Sequence, residues 1–159
     1  MKVAIGVLEE NLEQVSDLLH ILLADEMVLY TKTRGYYWNF EGANFYCVHL
    51  LLESQSNELS KIVDSIAKRI KQLGYSATAS MEAYLKSSRL SESPPEGMNN
   101  ATQWKTLVDD HETIIRILRN DILKCGIFMD LVSANFITGL VERHEQMVWM
   151  LRATLTIEK

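Results

Sequence analysis

Proline is nearly missing from this chain. There are only two, Pro94 and Pro95, adjacent and mid-chain, and only seven glycines. Long uninterrupted helices are therefore open to most of the sequence. Cysteine is equally sparse: Cys47 and Cys125 form no CxxC pair and no disulfide framework, so two free thiols in a reducing cytoplasm are expected. No apolar run approaches the roughly 20 residues of a membrane span. The opening residues lack the basic and apolar segments of a signal peptide. No lysine-rich tail is present, and the net charge is -5, which disfavours a general grip on nucleic acid. Alternating strand patterns, hairpin turns and internal repeats are also missing.

What is present is helical periodicity. Apolar residues recur at helical spacing from Val7 to about Tyr36, among them Leu12, Val15, Leu19, Leu22, Leu23 and Leu29, with acidic residues between them. After a turn around Gly42, a second helix is expected over 44–73, carried by Leu52, Leu59, Ile62, Ile66 and Ile70 and stopped by Gly74. A serine-rich connection with both prolines follows; Ser80 can cap a short helix over 81–86. Two more long helices are expected, 100–124 with Trp104, Leu107, Ile114 and Leu118, and 130–155. The expected fold is all-α: one domain over 1–159, two long helices, a crossover carrying a short helix, and two more long helices. That connectivity suits a ferritin-like four-helix bundle, although a cytokine-type bundle or a helical regulatory domain has the same periodicity.

Several blocks carry a family resemblance. Asp25-Glu26 through Thr33-Arg34, then Tyr36-Tyr37-Trp38-Asn39-Phe40, Gly42-Ala43-Asn44-Phe45 and His49 follow one another at the spacing of the Dps proteins, the DNA-protecting miniferritins. Asn57-Glu58-Leu59, Val63 to Ile70 and His144 to Arg152 extend the match over nearly the whole chain. The resemblance implies a hollow dodecameric homo-oligomer that stores ferric iron and defends against peroxide. It also implies a ferroxidase site shared by two subunits: two histidines and a carboxylate from one, an aspartate and a glutamate from its two-fold partner.

Carried over by position, the metal ligands are His49, Glu53 and Asp64, while Tyr37 stands at the first histidine position and Lys68 at the partner glutamate position. Trp38 falls beside the site. His49 and Glu53 are one turn apart on one helical face, as are Asp64 and Lys68. Glu53 and Asp64 are 11 positions apart, roughly 16 Å of helix rise, so one unbroken helix cannot deliver both pairs to one ion. Antiparallel packing across a two-fold axis can.

The two departures change the electrostatics. An ammonium has no lone pair for a metal and repels an incoming cation. A phenol ligates iron only as phenolate, and phenols ionise near pH ~10. The expected state is a site with weak or absent ferroxidase activity, with Lys68 pairing across the interface with Glu53 or His49. Co-assembly with a paralogous, fully equipped subunit follows as one way to use such a chain. The alternatives are an active ferroxidase using Tyr37, or a structural or DNA-associated cage. Twelve chains at -5 each sum to about -60, a charge that opposes direct DNA binding.

Other positions take simpler readings. Asp121, Asp130 and Glu142 are candidates for an acidic iron pore, with a solvated helix face as the plainer alternative. His20 reads as a partly buried helix histidine. His111 and His144, each followed by glutamate, read as surface or interface groups, since the zinc-protease pattern needs a second histidine. Cys47 reads as an inert packed thiol. Met147, Trp149 and Met150 read as core or interface.

Overall fold

A computed structural model describes residues 3–93 and 96–155. Pro94 and Pro95, placed above in the long connection, lie outside the described residues. Five helices are present among them: α1 (Glu9–Asn39), α2 (Phe45–Gln72), α3 (Met81–Ser87), α4 (Asn100–Ile127) and α5 (Leu131–Leu155). The four long ones form the bundle. α1 packs mainly on α2 and α4 mainly on α5, while the short α3 lies against α1.

The helix ends follow local chemistry. Glu9 and Glu10 occupy the first turn of α1, where carboxylates oppose the positive end of the helix dipole. Gly35 does not stop α1; the helix continues to Asn39 and buries Tyr36. The α1–α2 turn uses left-handed backbone at Asn44 (φ 62°) and a positive φ at Gly42. α2 ends in a Schellman arrangement: Tyr75 N–H donates to the Ile70 carbonyl and Gly74 N–H to that of Lys71. Gly74 has φ +95°, and a Cβ there would sit 2.6 Å from Val3 Cγ2, so glycine is required twice over. Ser80 and Asn99 cap α3 and α4, accepting from the N–H of Ala83 and Thr102.

The core is a stack of fully buried aliphatic side chains: Leu19, Leu22 and Leu29 from α1, Leu52, Leu59, Ile62, Ile66 and Ile70 from α2, Leu107, Ile114 and Leu118 from α4, Ile137 and Leu151 from α5. The α2 stripe returns every three or four residues, the period that keeps one face of a 3.6-residue helix inward.

Three buried ion pairs tie the connections to this core. Arg89, in the crossover, donates through Nε to Asp25 Oδ2 at 2.8 Å and through Nη1 to Asp121 Oδ2 at 3.0 Å. Lys124 also reaches Asp121. Arg69 of α2 donates to both oxygens of Asp130 at 3.2 Å. Asp130 in turn accepts from Ser133 N–H at 3.0 Å and so caps α5. Asp121 (0 % exposed) and Asp130 (3 % exposed) are thus spent inside the subunit. This corrects the pore reading: of that trio, only Glu142 faces solvent.

Burial alone would raise the Asp130 carboxyl, but the Ser133 hydrogen bonds and the Arg69 guanidinium outweigh it and hold it below the ordinary carboxylate value. Its stabilising share is therefore full above the unfolded-chain value and is lost as pH falls through the lowered folded value. Asp130→Ala strands Arg69, whose side chain is only 12 % exposed, and removes the α5 cap. Denaturant unfolding of this variant should show a loss of about 3–5 kcal/mol; a loss below about 1 kcal/mol would mean the pair is peripheral to folding.

Candidate functional site

The end of α1 and the start of α2 bring four expected residues into one place. The Tyr37 ring stacks on the His49 imidazole, centroids 4.0 Å apart and 23° between planes, and Phe45 stacks on the same imidazole at 4.9 Å. The Arg34 guanidinium lies over Tyr37 at 4.6 Å and over Trp38 at 5.1 Å, a cation–π arrangement. Trp38 is otherwise 66 % exposed. His49 is half-buried, and its Nδ1 is a buried atom with no hydrogen-bond partner among the described residues. Glu53 follows one turn along α2, also half-buried.

Asp64 and Lys68 are not part of this cluster. They lie further along the same unbroken helix and are exposed, 62 % and 71 % at the side chain, with Lys68 Nζ 2.5 Å from Asp64 Oδ2. Within the single chain, the lysine pairs one turn back along its own helix. Among the described residues no group of three or more His, Cys, Asp or Glu within the chain is arranged to hold a metal. The fit of this donor set to iron is partial. One imidazole with an unused nitrogen and one carboxylate are in place, a phenol occupies a third position, and the carboxylate at the far end already faces an ammonium.

A second polar constellation was not foreseen. His111 and His144, read above as surface groups, are both 0 % exposed, as is Glu26. His144 Nε2 lies 2.9 Å from Glu26 Oε1, and His144 Nδ1 lies 3.0 Å from His111 Nδ1. Glu26 Oε2 and His111 Nε2 have no partner among the described residues. Burial, then the neighbouring His144, holds His111 well below the ordinary histidine value. The signal was in the periodicity. His111 continues the stripe Trp104, Leu107, Ile114, Leu118, and His144 continues Ile137, Leu140, Met147, Leu151.

The remaining positions sort plainly. His20 is half-buried, with Nδ1 2.8 Å from the Ser16 carbonyl and Nε2 2.9 Å from that of Ser76. Both nitrogens are thus engaged without Asp17. Met147 is core, whereas Trp149 is 62 % exposed. Cys47 is exposed, correcting the packed reading; Cys125 is buried.

With this geometry in view, the similarities to known proteins are consistent. The ferritin-like domain family matches residues 16–159. A DNA protection during starvation protein of Porphyromonas gingivalis is 32% identical over 151 residues, covering 95% of this chain and 94% of that one. The chain belongs to the Dps family of ferritin-like proteins. A low temperature-induced protein of Nostoc is 37% identical over 153 residues, covering 96% of this chain and 86% of that one. Among solved structures, the Dps protein of Vibrio cholerae, described as a member of the ferritin-like diiron-carboxylate proteins, superposes with TM-score 0.89 at 27% identity. That match covers 97% of this chain and 96% of that one. Antigen TpF1 of Treponema pallidum superposes with TM-score 0.86 at 30% identity over 96% and 99% of the two chains. The all-α ferritin-like bundle expected from the sequence is thus the fold of this Dps-family chain.

Thiol chemistry separates the two cysteines. Burial, with Asp130 and Asp121 nearby, pushes the Cys125 thiol up to about 12, leaving almost no thiolate at neutral pH. A disulfide-exchange reagent should therefore modify at most one thiol per native chain, at Cys47, and the second only after unfolding. Two fast-reacting thiols in the native protein would contradict this placement.

Proposed function

We propose that this chain is the subunit of a Dps-like shell that sequesters iron and limits peroxide damage, and that its inter-subunit ferroxidase site is held at low activity by its own substitutions. The site would form where His49 and Glu53 of one chain face Asp64 of a two-fold-related copy. The observation that carries the reading is the Lys68–Asp64 pair at 2.5 Å. Asp64 is the carboxylate meant to cross the interface, and it meets an ammonium before it meets iron.

The exposed pair itself contributes little to stability, within about 0–1 kcal/mol, so it does not lock the helix. Its effect is on charge. The family's pattern of three carboxylates and two imidazoles sums to near -3 before metal; Glu53, Asp64 and Lys68 sum to near -1. A ferrous ion entering this site is drawn by less charge and finds a cation at one of five ligand positions. Iron is the substrate here. The chain's residues bind it, set the field it enters, and, through Tyr37 and Trp38, shape the wall beside it.

The shell is proposed as a homo-oligomer, on the family pattern a dodecamer. A fully equipped paralogous subunit would complete the sites if the two co-assemble. The net charge of -5 per chain opposes direct association with DNA. One observation supports a second reading: the Tyr37 ring stacks on His49, and a phenolate there would serve as a ligand once ferric iron is present, giving an active enzyme with an altered ligand set.

Stopped-flow oxidation of Fe(II) by peroxide tests the proposal. The Tyr37→His/Lys68→Glu double variant should oxidise iron roughly tenfold or more faster than the parent, the scale of a change in a metal's ligand shell. Parent turnover equal to that of the double variant would remove the low-activity reading and favour Tyr37 as a working ligand.

A further inference from the structure

The constellation of Glu26, His144 and His111 lies outside the proposed iron site and on different helices, α1, α5 and α4. It replaces three core positions with titratable groups. A buried polar network stabilises a bundle only when fully satisfied, and this one leaves Glu26 Oε2 and His111 Nε2 without partners among the described residues.

Its proton count is limited by geometry. The two Nδ1 atoms are 3.0 Å apart, a hydrogen-bond distance that requires one proton between them. With no proton, two lone pairs oppose each other; with two, two N–H groups do. At His144 Nε2, an N–H can donate to Glu26 Oε1 at 2.9 Å. The docked pair therefore tolerates one imidazolium, on His144, balanced by the Glu26 carboxylate. A second charge, placed on His111, has no acceptor at Nε2 and breaks the Nδ1 contact.

Nothing nearby relieves that limit. The flanking acids and bases are engaged elsewhere: Asp25 with Arg89, Asp110 with Lys32, Glu112 with Arg152, Glu145 with Arg119, and Arg143 with Glu58. The buried face of α2 carries no titratable group; its polar members there, Gln55 and Ser56, bond to the carbonyls of Met147 and Leu52. Tyr84 of α3 donates to the Thr78 carbonyl.

We propose that Glu26, His144 and His111 form an acid-release latch in the bundle core: docked, the histidine pair holds at most one imidazolium, and uptake of a second proton separates α4 from α5 at this level. The sign follows from linkage. Below about pH 6.5 the unfolded chain protonates both histidines, while the docked bundle accepts one at most. The unfolded state then binds at least one more proton, so stability falls as pH falls, and recovers above that range. The consequence is a bundle, and any shell built from it, that loosens in mild acid while its surface ion pairs remain charged.

The test is unfolding of the full-length protein between about pH 5 and 8, parent against Glu26→Leu/His111→Leu/His144→Leu. Leucines of similar volume remove the network without leaving a buried charge. The parent's unfolding constant should rise at least about tenfold per pH unit on the acid side, and the triple variant should lose that dependence. His20 and His49 are common to both proteins and cancel in the comparison. Equal slopes would overturn the latch. A second measurement stands without the variant: hydrogen exchange at the imidazole C2 position, read residue by residue by mass spectrometry in the parent. At most one of His111 and His144 should titrate while the helices stay intact; both titrating in the folded protein would also overturn it.

Discussion

One rigid element sets the terms for the rest of this molecule: α2, an unbroken helix from Phe45 to Gln72. It carries His49 and Glu53 near one end and Asp64 and Lys68 some three turns later. A helix that buries Leu52, Leu59, Ile62, Ile66 and Ile70 completely cannot bend to bring those pairs together without exposing its core face. The distance of roughly 16 Å between Glu53 and Asp64 is therefore fixed by packing. Any site using both ends must be completed by another chain. The same rigidity leaves each end to find partners locally, and each has done so: His49 under Tyr37 and Phe45, and Asp64 against Lys68.

Charge is handled differently inside and outside the bundle. Outside, pairs such as Lys68–Asp64 and Lys105–Asp109 are exposed, where Coulomb attraction in water adds little to stability. Inside, Asp25, Asp121 and Asp130 each meet a guanidinium. Those pairs anchor the crossover and the α4–α5 turn, because removing either member leaves a buried charge. The Glu26–His144–His111 chain is the exception, built from a carboxylate and two imidazoles rather than around a permanent cation.

Much of the fold was legible because periodicity survives without knowledge of neighbours. All five helices lie within a few residues of their expected bounds, and the largest shifts come at Gly35 and Gly126. At both places the helix runs on through the glycine. The site was legible in part. Tyr37 stacks on His49, and Asp64 and Lys68 lie some three turns further along α2. What a sequence could not assign was ion-pair partners: Asp121 and Asp130 are neutralised by arginines 32 and 61 positions away. His111 and His144 match no ligand motif in sequence, and only their place in the apolar stripes of α4 and α5 marks them as buried. On a helix, adjacent residues are about 100° apart around the axis, so a charged neighbour does not decide whether a residue is buried.

In the proposed two-chain iron site, the far carboxylate, Asp64, already holds Lys68 of its own chain. Anomalous diffraction from crystals soaked in a divalent metal addresses this most directly, since it reports metal position independently of turnover. The account predicts weak or no anomalous density between His49, Glu53 and the facing Asp64 in the parent. Strong density should appear there in crystals of Lys68→Glu soaked in parallel. Full metal occupancy in the parent, with Lys68 turned to solvent, would contradict it.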